Sequence, residues 1–162
     1  MASRTPGRQA DFVDVLRALQ RVDLDTWLSA MPDSVVQNAQ RSVVVGEMLA
    51  DISLPDGFDV SALTSSTELK DRYQLGAEVT GAVGCAWVDQ WTRARAEGDT
   101  LAAQAAVDAM AASHEWSILE EMSDEGGWPQ VFWIVADGLA ADGIVDGGLT
   151  VGEFSLDAIG CG

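Results

Sequence analysis

Between residues 11 and 22, Phe12, Val15, Leu16, Leu19 and Val22 recur at helical spacing behind Asp11, and the pattern predicts an amphipathic helix capped by that aspartate. The ten residues before it are polar, carry Pro6 and Gly7, and read as a disordered lead-in. A short helical piece follows from Asp25 and stops at Pro32. From residue 33 or 34 to about residue 50, Val35, Ala39, Val43, Gly46 and Leu49 share one face. They predict a third helix whose stripe is small in the middle, so that another helix can approach it closely. Residues 53–65 hold the Pro55, Asp56, Gly57 turn signal and read as the longest loop.

Ser65 and Glu68 stand at capping-box spacing, and the next strong stop is Gly98, which predicts one long helix over residues 66–97. Leu69, Tyr73, Gly76, Thr80, Val83, Trp87 and Trp91 follow one of its faces. Gly76, Gly81 and Gly84 cost helix propensity that close packing must offset, so this helix is expected in the centre of the fold. Asp99 caps an alanine-rich helix, Ser113 begins a shorter one, and Pro129 suits the first turn of a last long helix, PQVFWIVADGLAA. No segment alternates long enough to predict a strand. The chain reads as an all-α, single-domain helical bundle around the helix at 66–97. Residues 11–141 form its helical domain, and residues 142–162 form an acidic loop and tail.

Charge narrows the partners. Of 162 residues, 9 are Lys or Arg and 26 Asp or Glu, a formal charge of −17. Phosphates repel such a surface, which argues against nucleic acid and anionic membranes and leaves basic proteins or cations. With 48% apolar residues the chain still has the composition of a folding domain. The basic N-terminus has no apolar run behind it, and the longest apolar run, 131–136, is too short to span a bilayer. The expectation is a cytoplasmic protein with reduced Cys85 and Cys161. The alternative is the soluble part of an exported protein in which those two cysteines pair.

The stretch ADGIVDGGLTVGEF carries the strongest chemical signal. With Glu153 at position 12 of a calcium loop, Asp142 falls at position 1, Asp146 at 5, Gly147 at 6, Gly148 at 7 and Thr150 at 9. The glycine permits a sharp turn, Gly148 offers its carbonyl, and Glu153 offers two oxygens at the start of an exiting helix. Residues 142–154 thus resemble an EF-hand loop, which implies calcium held by Asp142, Asp146, Gly148, Thr150 and Glu153. Ile144 departs from the pattern at position 3, where an oxygen ligand belongs. The segment LTVG is similar to the C-terminal docking peptides of encapsulin cargo proteins, without their basic end. GFDVSAL, RYQLGAEVTGAVGCAW and AMAASHEW are similar to segments of uncharacterised actinobacterial proteins, a resemblance that implies no activity.

No catalytic set stands out. His114 is the only histidine, and SHEWSIL lacks the second histidine of a zinc protease helix. Six tryptophans predict an aromatic core whose indole N–H groups are met by acidic side chains; a pocket for an apolar ligand around Trp87, Trp91 and His114 is the sharper alternative. Glu120, Glu121, Asp124 and Glu125 form a solvated acidic rim suited to a basic partner. The expected function is a non-catalytic, acidic interaction or accessory module. Weak calcium binding and a small-molecule or enzymatic role are the alternatives.

Overall fold

In the computed structural model, which describes residues 14, 16, 18–145 and 147–162, the chain divides into two units, residues 1–32 and 33–162. In the first, the lead-in at 1–10 and most of the helix expected at 11–22 lie outside the described residues. Asp14, Leu16 and Ala18 are helical, but the backbone leaves the helix at Leu19, short of Val22. Helix α1, Leu24–Ser29, starts one residue earlier than expected, because Asp23 caps it by accepting from the Thr26 N–H at 2.8 Å.

The second unit is an all-α bundle. Its elements are β1 (Val35–Val36), α2 (Asn38–Met48), α3 (Ser61–Ser65), β2 (Lys70–Asp71), α4 (Arg72–Glu97), α5 (Thr100–Ala111), a 3-10 turn (Ala112–Glu115), α6 (Ser117–Ser123), α7 (Trp128–Ala140) and α8 (Val151–Ala158). Residues 142–162 belong to this unit.

Helix α4 is the buried spine, with Leu75, Val79 and Val83 fully enclosed and Trp87 6% exposed. It begins at residue 72 and not at 66. The capping box is Asp71 with Gln74, in which the Asp71 carboxylate accepts from the Gln74 N–H at 2.7 Å; Ser65 and Glu68 do not form one. Residues upstream have other partners. Lys70 and Asp71 pair antiparallel with Val36 and Val35, the small sheet that the sequence pattern did not predict. The carbonyls of Leu63 and Glu68 accept from the buried Arg41 guanidinium at 2.6 and 3.2 Å. With those groups satisfied outside a helix, the helical register starts only at the cap. Gly98 ends α4 in the left-handed region (φ +76°), as its position predicted.

The central glycines are points of close approach. A Cβ on Gly81 would stand 2.9 Å from the Ile159 carbonyl oxygen, and one on Gly84 would stand 2.7 Å from the Phe132 ring. The tail is fixed there covalently, because Cys85 and Cys161 form a disulfide. This corrects the expectation of reduced thiols.

Helix α2 spans less than the expected 33–50, and its orientation departs from the sequence reading. Arg41, Val45 and Met48 face the core, while Ala39, Val43 and Gly46 of the expected contact stripe are exposed. Arg41 sets this rotation, since its guanidinium has three oxygen partners inside the fold.

Candidate functional site

Electrostatics dominate the surface. Over residues 1–32, Arg4, Arg8, Arg17 and Arg21 offset Asp11, Asp14, Asp23 and Asp25, so residues 33–162 keep the whole −17, with five of the nine cations and 22 of the 26 carboxylates. Each of those five cations lies against a carboxylate: Arg41 on Glu78 (2.6 Å), Lys70 on Glu78 (3.0 Å), Arg72 on Glu121 (2.6 Å), Arg93 on Asp89 (3.1 Å) and Arg95 on Asp142 (2.8 Å). No patch of this unit can therefore present a cation without a neighbouring acid.

The expected rim is formed, with one change. Glu120, Asp124 and Glu125 are exposed on α6 and the turn after it. Glu121 is held in a two-pronged pair by Arg72, whose Nε and Nη2 donate to it at 2.6 and 3.0 Å. That pairing raises the Arg72 pKa further, against the opposing effect of partial burial. Glu121 ties α4 to α6 and is the least free of the four.

In the loop after α7 the candidate ligand side chains of Asp142 and Glu153 have other partners. Asp142, the only described non-glycine residue with positive φ (+61°), points its carboxylate to Arg95. Glu153 turns back to Thr150, accepting from its N–H at 3.0 Å and its hydroxyl at 2.7 Å, while the Thr150 hydroxyl accepts from the Glu153 N–H at 3.2 Å. These bonds cap α8 and hold the Glu153 carboxyl below its ordinary pKa, the threonine hydroxyl contributing most. The loop closes on itself, with the Val145 N–H donating to the Leu149 carbonyl at 3.0 Å and the Val151 N–H to the Gly143 carbonyl at 2.9 Å. Gly148 lies in this loop with φ +83°, and Asp146 lies outside the described residues. Among the described residues no three Asp, Glu, His or Cys side chains converge as a metal site. The capping box was readable as Thr150-x-x-Glu153, a pattern that competes with the calcium register for the same two side chains. The LTVG segment is no free peptide either, since Val151 is fully buried.

A cleft of about 750 Å³ opens where α4 ends, α5 begins and α7 meets the following loop. Trp91, Val107 and Leu139 give it apolar wall, and Arg95, Gln104 and Asp142 give it polar groups. Arg95 stands over the Trp91 ring, 5.5 Å from its centroid, and Gly143 packs so closely under that ring that a Cβ would collide with it. Trp87 and His114 are not among its lining residues, so the expected grouping of Trp87, Trp91 and His114 does not form. Trp87 is core, and its indole N–H donates to the Ser53 carbonyl at 3.0 Å. His114 pairs with Asp137 at 3.0 Å and stacks on Trp133. The other described indole partners are the Thr80 hydroxyl for Trp128 and the Ser113 carbonyl for Trp133, not acidic side chains.

Among the described residues no helix is long and apolar enough to cross a membrane. The chain matches no protein-family model, no curated protein and no solved structure.

Proposed function

We propose that this chain is a non-catalytic, acidic, all-helical interaction or accessory module whose partner presents a basic protein surface. The observation that carries the reading is the local neutralisation of all five cations in residues 33–162, which leaves a surface of one sign around Glu120, Asp124 and Glu125. A field of one sign steers an oppositely charged protein and speeds its association more than it tightens the complex. The disulfide supports an oxidising setting outside the cytoplasm, where such bonds persist.

The test is association with a labelled poly-lysine peptide, followed as ionic strength rises to physiological values, where the screening length is about 8 Å. Binding should weaken steeply with salt, and replacing Glu120, Asp124 and Glu125 together by glutamine should slow association. Binding that ignores salt would overturn the reading.

The cleft beside Trp91 favours a second reading, a small-molecule binder, since its volume and its mixture of apolar wall and few polar groups suit an organic ligand. A ligand whose affinity falls on Trp91→Ala and Arg95→Ala would support it. A calcium role rests on the loop sequence and requires Glu153 to leave Thr150.

A further inference from the structure

At two positions helix α2 departs from the pattern of a surface helix, burying a charge and exposing an apolar side chain. Arg41 is 2% exposed and Val43, two positions on, is 62% exposed. Val43 borders a groove of about 450 Å³ between β1 and α2, to which Val35, Val36, Ala39 and Val44 also contribute. Its charged members are Asp33, Glu47 and Arg72. The Arg72 charge is already taken by Glu121, with Glu47 at 3.9 Å, so the groove offers an apolar strip edged by carboxylates.

Resting on the reading of a basic partner, we propose that this groove is where the partner docks, and that it takes a basic amphipathic helix. The apolar row of such a helix lies along Val35, Val43 and Val44, and the small Ala39 admits its backbone closely. Lysines or arginines flanking that row meet Asp33 and Glu47. Charge selects the occupant: an acidic or neutral amphipathic helix would satisfy the valines and gain nothing from the edges, in the field of a unit carrying −17.

Two probes and two variants test the docking site. The probes are a Leu/Lys peptide patterned as an amphipathic helix and a Gly/Lys peptide of equal charge with no apolar row. The variants are Val43→Glu, in the groove, and Leu101→Glu, at an 83% exposed position outside it. Both make the chain more acidic by one charge, so electrostatics alone would leave binding of either cationic peptide unchanged or tighter. The proposal expects the Leu/Lys peptide to bind the parent more tightly than the Gly/Lys peptide. It also expects Val43→Glu to weaken the Leu/Lys peptide about tenfold, the scale of one lost interface anchor, with Leu101→Glu matching the parent. Circular dichroism melts confirm that the variants are folded, and Val43→Gln replaces Val43→Glu should the latter unfold. Equal binding of the two peptides, or a Leu/Lys affinity indifferent to Val43, overturns the groove while leaving the basic-partner reading intact. Failure of both peptides at low ionic strength removes that reading and the groove with it. Self-association of the parent that Val43→Glu abolishes would give this face to a second copy and overturn the proposal.

Discussion

Replacing helix glycines by alanine separates propensity from packing, because two of them differ in a single respect. Gly46 in α2 and Gly81 in α4 both have helical backbone, so alanine gains about 0.5–1 kcal/mol of helix propensity at either site. A Cβ on Gly46 meets nothing within 4 Å. One on Gly81 meets the Ile159 carbonyl oxygen at 2.9 Å, with Trp128 Cζ2 at 3.4 Å. A flexible side chain can swing away, but this contact is backbone. Ile159 is buried, and two residues later Cys161 is bonded to Cys85, one turn along α4 from Gly81. Overpacking of that kind costs about 1–3 kcal/mol, and the restrained tail puts Gly81→Ala in the upper part of that range. After the propensity gain, Gly81→Ala should be about 1–2 kcal/mol less stable than the parent, and Gly46→Ala about 0.5–1 kcal/mol more stable. Urea unfolding reads both, provided the slope with denaturant is unchanged. Shifts of the same sign and size at the two sites would refute the reasoning. A second reading comes from Cys161→Ser, which frees the tail and should shrink the cost of Gly81→Ala in a double-mutant cycle.

Arg41→Met should destabilise by about 3 kcal/mol in the same assay, because the Leu63 and Glu68 carbonyls lose their donor while Glu78 keeps Lys70. Asp51 accepts from the Ser117 N–H and hydroxyl at 2.8 and 2.6 Å; partial burial pushes its carboxyl up, but these bonds together hold it below its ordinary value. Its folded pKa is depressed, so its contribution is full above the unfolded carboxylate value and is lost as pH falls through the folded one. The stability gap between parent and Asp51→Asn should therefore narrow below about pH 4, and a gap that stays constant into acid would be evidence against the Ser117 contacts. Cys161→Ser should cost up to about 4.5 kcal/mol by the loop-entropy argument for a 76-residue separation, and reducing agent should have no further effect on that variant. Glu153→Gln retains an N3 capping side chain and should melt close to the parent, with Glu153→Ala lower. Calcium stabilisation that exceeds magnesium in the parent and vanishes in Glu153→Gln would instead assign the loop to calcium.

The spine, its C-terminal end and the helices after it were legible because strong local chemistry marks them: Gly98 stopping α4, Asp99 capping α5, Pro129 opening α7, and the glycines at 76, 81 and 84 requiring close neighbours. The start of α4 was not, because two capping boxes of similar quality sit six residues apart and the choice between them was made by Arg41 and β1, distant in sequence. Arg41 also explains the misread face of α2. Periodicity places Val35, Ala39, Val43, Gly46 and Leu49 together but cannot say that a guanidinium with three oxygen partners outranks them for the interior. At the candidate site the acidic rim was visible in composition. The cleft beside Trp91 was not, since it joins α4, α5 and α7 across about 50 residues of chain.

The bond between Cys85 and Cys161 has a mechanical meaning as well. It closes α5, α6, α7 and α8 into a covalent ring, so a chain pulled by residues 1 and 162 cannot draw out the segment between the two sulfurs. At about 3.6 Å per extended residue, the 76-residue separation hides about 270 Å of contour length until the bond is reduced. Force applied along the backbone reaches residues 1–85 and the two at the end. In a single-molecule trace the bundle would thus yield first through β1, α2 and the part of α4 before Cys85, and the segment between the two cysteines would lengthen only after a reductant is added.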